Sequence, residues 1–135
     1  MRVLIDTNIV LDLLLERSPF VYMATALFEQ IEQGRLVGDV TATTITNLFY
    51  ILRKAEGRDV ALAAIRQLLM GLHLCTVDRQ TIEIAIDLDL TDFEDGVQLA
   101  CAIFNQLDGI VTRDRNDFSP STIPIYTPIE LLNQL

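Results

Sequence analysis

The chain has 135 residues, half of them hydrophobic, which is the make-up of one folded domain with a full core and not of a disordered segment. No apolar run approaches the roughly 18 residues of a membrane span, and Asp6 breaks the N-terminal run early enough to predict no signal peptide. Ten basic against 19 acidic side chains leave a net charge of −9, which taken alone argues against a phosphate-rich partner.

In chain order, Arg2-Val3-Leu4-Ile5 is an apolar run without alternation, as in a strand covered on both faces. It stops at Asp6-Thr7-Asn8, residues suited to a strand end and a helix cap. Ile9, Val10, Leu13 and Leu14 carry a first helix, and a second follows Ser18-Pro19 and runs to about Gln33, before Gly34. Leu36 to Val40 reads as a strand. Thr43 to Glu56 reads as a helix with Ile45, Leu48, Phe49 and Leu52 inward, and Gly57 stops it. Asp59 is expected to cap the next helix, which ends at Gly71; Leu72 to Val77 is a third strand, and Asp78 caps a helix to about Asp87.

The most apolar helix then opens on three carboxylates, in Asp92-Phe93-Glu94-Asp95. Phe93, Val97, Ala100, Phe104 and Leu107 share one face, and Leu99, Cys101, Ala102 and Ile103 make the other faces apolar too, which predicts burial near the domain centre. Asp92 is a natural N-cap, with Asp95 as the acid of a capping-box variant. Gly109 to Thr112 forms a strand, Arg113 to Pro120 a loop and Pro124 to Tyr126 a last short strand, before a helix started by Thr127-Pro128. Strands alternating with helices predict one α/β domain over residues 1–135. It is a three-layer α/β/α sandwich around a mostly parallel sheet of four to five strands.

In such sheets ligands gather beyond the carboxyl ends of the strands. Asp6, Asp95, Asp114 and Asp117 all fall at that rim. Twelve of the 19 acids are Asp, and a cluster of short carboxylates repels itself unless protons or divalent cations compensate it. Oxygen donors without Cys or His partners select Mg²⁺ or Mn²⁺ over zinc. His73 lies inside a strand and reads as structural; Cys75 and Cys101, each in an apolar segment, read as buried free thiols of a reducing cytoplasm. No Ser-His-Asp set, Cys-His pair or glycine-rich phosphate loop is present. Metal-dependent phosphoryl transfer remains.

Three stretches, Asp6-Thr7-Asn8 after the first strand, Asp92-Phe93-Glu94-Asp95 opening the central helix and Thr112-Arg113-Asp114-Arg115-Asn116-Asp117-Phe118 after a late strand, resemble PIN-domain ribonucleases. The subgroup they look most like is that of the small bacterial VapC-like toxins. The resemblance implies an α/β/α fold with an acidic Mg²⁺ or Mn²⁺ pocket cleaving single-stranded RNA. Carried over, Asp6 and Asp95 would be the main metal ligands and Asp114 would complete the pocket, with Asp117 as the competing candidate. Asn8 and Thr112 would orient carboxylates or water. Asn8 suits a helix cap as well, and Asp117 a turn before Phe118.

One departure stands out: many PIN domains carry a Glu on the helix after the second strand, where this chain has Asn47. Asn can coordinate through its carbonyl but brings no charge and cannot act as a base, so a non-cutting PIN domain that binds RNA or protein is the alternative reading. Arg113 and Arg115 flank the pocket loop and would steer RNA; Arg53, Lys54 and Arg58 serve either that purpose or ordinary solvation. An apolar surplus on the early helices fits a homodimer, a docked antitoxin or plain core packing.

Overall fold

The structure is a computed structural model that describes all residues, 1–135. Its five strands are β1 (Arg2–Ile5), β2 (Val37–Thr41), β3 (His73–Cys75), β4 (Gly109–Val111) and β5 (Ile125–Tyr126). Seven helices connect and follow them: α1 (Thr7–Leu14), α2 (Val21–Glu32), α3 (Ala42–Glu56), α4 (Arg58–Gly71), α5 (Arg79–Leu88), α6 (Phe93–Phe104) and α7 (Pro128–Leu132). A 3₁₀ turn at Arg115–Phe118 interrupts the expected loop after β4.

The strands form one sheet in the order β3-β2-β1-β4-β5, and every neighbouring pair is parallel. A parallel sheet needs both faces covered, and β1 shows how its sequence achieves this. Val3 and Ile5 point into a core built with α1–α4 and α7, while Leu4 between them points into a second core under α5 and α6. The unalternating apolar run is thus two half-strands of burial facing opposite ways.

The chain turns to β2 on one side of β1 and later returns to β4 on the other. The switch in strand order therefore lies between the carboxyl ends of β1 and β4, where parallel α/β sheets open a crevice. The backbone crosses this point directly, since the Asp6 amide donates to the Val111 carbonyl at 3.0 Å.

Several element ends differ from the sequence reading. Asp59 lies in the first turn of α4, and Gly57, with φ +93°, occupies the cap position. The third strand is confined to His73–Cys75, which pairs with Asp39–Thr41; β2 ends at Thr41, so Thr76 and Val77 lie past the last paired position. Phe93 and Phe104 are exposed, although the body of α6 from Gly96 to Ala102 is buried. A twelve-residue helix is about 18 Å long, whereas the three residues of β4 span about 10 Å. The helix is thus longer than the strand, and the two exposed rings stand at its first and last positions. Asp92 caps α6 by accepting from the Asp95 amide at 3.2 Å, without the return bond of a full capping box; that motif is complete instead at Thr127 and Glu130 of α7.

Candidate active site

Asp6 follows the last residue of β1 and stands at the N-cap position of α1, yet its side chain makes no capping bond. The carboxylate is 4% exposed and held from two directions. Gln98 Nε2, from the middle of α6, donates to Oδ1 at 3.1 Å, and Thr112 Oγ1, just past β4, donates to Oδ2 at 2.9 Å. Three elements separated in sequence thus fix one carboxylate at the switch point.

Around Asp6 opens a cavity of about 730 Å³. Its acidic lining consists of Asp6, Asp92, Glu94, Asp95 and Asp117; Asn8, Asn47 and Asn116 add neutral amides, and Tyr50 and Ile51 of α3 form one lip. Neither His nor Cys reaches it. Burial, and then the neighbouring charges of Asp92, Asp6, Asp117 and Glu94, push the Asp95 carboxyl up to about 7. Asp117 is raised as well, first by desolvation and then by Asp114, Asp6 and Asp92.

Of the candidate residues, Asp6, Asn8, Asn47, Asp95 and Asp117 line this one cavity. Asp114 does not line the cavity. Its Oδ1 accepts from the Asn116 amide at 3.0 Å while its own amide donates to Thr112 Oγ1 at 3.3 Å, so it closes the 3₁₀ turn that carries Asn116 and Asp117 to the wall. Thr112 is not in the lining either; it reaches Asp6 through the hydrogen bond to Oδ2.

The two arginines are elsewhere. Arg113 Nε lies 3.1 Å from Oδ2 of the fully buried Asp12, and its guanidinium sits 4.0 Å above the Phe20 ring; Arg115 Nη1 pairs with Glu130 Oε2 at 3.1 Å. Neither lines the acidic cavity, because these partners draw them to the α1–α2–α7 side. Cys75 and Cys101 are buried and free. Burial raises both thiols, Cys101 to about 11, so neither is a ready nucleophile.

Gln98, Glu94 and Asp12 are the functional-looking residues that the sequence reading passed over. Gln98 had a signal: it is the one polar residue in the apolar body of α6, one turn after Asp95 and on its face. Asp12, inside the apolar run of the first helix, had a comparable one.

The donor set suits a hard divalent cation. It is all oxygen, it carries two carboxylates, Asp95 and Asp117, that burial and neighbouring charges disfavour as free anions, and one amide oxygen, Gln98 Oε1, is buried without a hydrogen-bond partner. The carboxylates face one cavity but stand apart; no three of them already converge on a coordination point.

A sequence model of the PIN domain matches residues 2–116, which is most of the chain. The chain belongs to the PIN domain family. Among solved structures, this PIN domain is similar to VapBC2 from Rickettsia felis bound to a promoter DNA fragment, with a TM-score of 0.73 at 13% identity over 94% of this chain and 98% of that one. It is also similar to a toxin–antitoxin complex from Klebsiella pneumoniae, with TM-score 0.69 and 22% identity over 93% and 97% of the two chains. A third is the Mycobacterium tuberculosis VapC20, a toxin that cleaves the sarcin–ricin loop, with TM-score 0.70 and 15% identity over 85% and 92%. At such identities the likeness is one of fold. Comparison with curated proteins found no match. The fold of this PIN domain is therefore the α/β/α sandwich that the sequence predicts, with all five strands parallel.

Proposed function

We propose that this PIN domain is a Mg²⁺- or Mn²⁺-dependent endoribonuclease of single-stranded RNA and the toxin of a VapBC-like toxin–antitoxin pair. The observation that carries the reading is the Asp6 carboxylate, buried and clamped by Gln98 and Thr112 at the floor of a cavity whose walls bring Asp95 and Asp117 to it. A carboxylate that costly to bury needs a compensating charge, and the cavity supplies only more carboxylates. Asp6, Asp95 and Asp117 are the residues that would hold the cation, and Asp114 supports them through the turn it closes. The chemistry supplied by such a cation is activation of a water and neutralisation of phosphate charge.

The chain's own groups do the rest. Gln98 and Thr112 fix the Asp6 oxygens so that they need no reorganisation on binding. Asn8 and Asn47 offer amides for water or phosphate oxygens, and the exposed Tyr50 ring on the lip offers a stacking face for a base. An antitoxin as partner is supported by neighbours that are themselves toxin–antitoxin complexes. A homodimer and a cytoplasmic location complete the proposal; no helix is long and apolar enough to cross a membrane.

The test is cleavage of an RNA panel by the purified chain with Mn²⁺ and with excess chelator. Asp6→Asn or Asp95→Asn should lower the metal-stimulated rate by at least about 10²-fold. Equal cleavage in chelator would end the metal assignment. Asn47 favours a second reading, a PIN domain that binds RNA without cutting it, because α3 contributes no charge to the cavity. That reading gains if Mn²⁺ binds but no RNA of the panel is cut.

A further inference from the structure

The cavity has a carboxylate for which neither helix capping nor the ligand set above gives a role. Glu94 stands in the first turn of α6, whose cap is already supplied by Asp92. Its side chain is half-buried and turned to the cavity wall, where Thr7 Oγ1 donates to Oε1 at 3.4 Å.

Behind Thr7 runs a chain of hydroxyls. Thr7 Oγ1 and Thr44 Oγ1 are 2.8 Å apart, Thr41 Oγ1 donates to Thr44 Oγ1 at 3.1 Å, and Thr43 Oγ1 lies 2.8 Å from Thr41. Each hydroxyl has a single proton, so the order of donation is forced. Thr7 gives its proton to Glu94, which requires Thr44 to donate to Thr7, Thr41 to Thr44 and Thr43 to Thr41. All the dipoles point one way, and the Thr44 amide adds a further donor to Thr41 at 3.0 Å. Hydrogen bonds aligned head to tail polarise one another, which makes the last hydroxyl a stronger donor to the oxygen it faces. Thr41 and Thr44 are fully buried.

The wire starts where α3 begins and ends on α6. Asn47, one turn beyond Thr44, lines the same cavity as Glu94. We propose that Glu94 supplies from α6 the carboxylate that α3 lacks at Asn47, so that the hydroxyl chain Thr43–Thr41–Thr44–Thr7 holds it as an added donor to the divalent cation. This rests on the metal-binding reading above, and makes Glu94 a ligand-side residue instead of a helix-start charge.

The test is Mn²⁺ titration of the purified full chain by calorimetry, with circular dichroism of each variant as the folding control. Glu94→Gln, nearly isosteric, should weaken Mn²⁺ binding by roughly tenfold or more. Adding Asn47→Glu to it should restore affinity to within about threefold of the unaltered chain, because a charge returned from α3 faces the same cavity. Should Glu94→Gln fail to fold, Thr7→Val replaces it: it keeps the charge, removes the last donor of the wire and should weaken binding severalfold. Unchanged Mn²⁺ affinity in Glu94→Gln, alongside lost binding in Asp95→Asn, would overturn the role of Glu94 alone. A folded double variant that binds no better than Glu94→Gln would also overturn it. If Asp95→Asn too binds Mn²⁺ unchanged, the metal reading itself has failed.

Discussion

Asp95 shows how a single position carries both the liability and the use of the cavity. Its carboxyl is raised from an ordinary 3.8 to about 7 by burial and by the acids around it. The folded chain therefore holds this proton more tightly than the unfolded chain does. Between about pH 4 and pH 7 the folded state binds more protons, so stability falls as pH rises through that window and levels off above it. Asp117 and Asp12 are raised too and act in the same direction. Asp78 and Glu130 are lowered by bonds from Thr81 and Thr127; what they contribute is lost only on acidification below the ordinary carboxylate range, outside this window. In chelator the melting temperature should thus decline from pH 5 to pH 7. Asp95→Asn should flatten the decline, and millimolar Mn²⁺ at pH 7.5 should reverse it. A melting temperature that climbs across the same range in chelator would contradict the assignment of Asp95.

At the scale of elements, α1 and the segment after β4 are joined twice. Near the strand ends Thr112 binds Asp6; six residues further on, within α1, Asp12 meets Arg113. Asp12 is fully buried, and its second partner, Arg17, stands at 3.8 Å. The Arg113–Asp12 contact is close but is not a directed hydrogen bond, so the pair relies on charge more than on geometry. Arg113 keeps about a third of its side chain in solvent, whereas Asp12 keeps almost none. The two truncations are therefore unequal. Arg113→Ala strands a buried anion and should cost about 3 kcal/mol or more; adding Asp12→Asn should recover most of that loss. Urea denaturation of the four members of the cycle measures it, and a double variant no more stable than Arg113→Ala would mean that the Phe20 stacking, not the charge pair, holds the segment. β5 supports the same segment from its other side, since the Thr112 amide donates to the Tyr126 carbonyl at 2.9 Å. The close approach of these strands needs Gly109, where a Cβ would stand 2.7 Å from the Pro124 carbonyl oxygen and 2.8 Å from the Tyr126 ring.

For the molecule as a whole, a net charge of −9 and an acidic cavity would oppose the proposed RNA substrate until the proposed cation is bound. With Arg113 and Arg115 paired to carboxylates, the exposed bases on the helix that forms the cavity lip are Arg53 and Lys54, one turn along α3 from Tyr50. Reversing both charges (Arg53→Glu with Lys54→Glu) should weaken RNA binding by the Mn²⁺-loaded chain about tenfold at low salt, and the difference should shrink as salt shortens the screening length. Equal binding at low salt would remove α3 from the path of the RNA.

Much of this was legible along the chain because it is written in local terms. Apolar runs, caps such as Asp78 and Thr127 and the regular alternation of strand and helix depend on near neighbours, so a parallel α/β/α domain with Asp6, Asp95 and Asp117 at one rim follows from order and spacing. What only the tertiary structure decided are the contacts between distant segments: Gln98 against Asp6 across 92 residues, Arg113 drawn to Asp12, Asp114 closing a turn while Asp117 lines the wall. The same holds for the hydroxyl wire ending on Glu94. Periodicity says which face of an element is apolar, but the partner of a polar side chain is set by which strands lie side by side, and that order exists only once the sheet has formed.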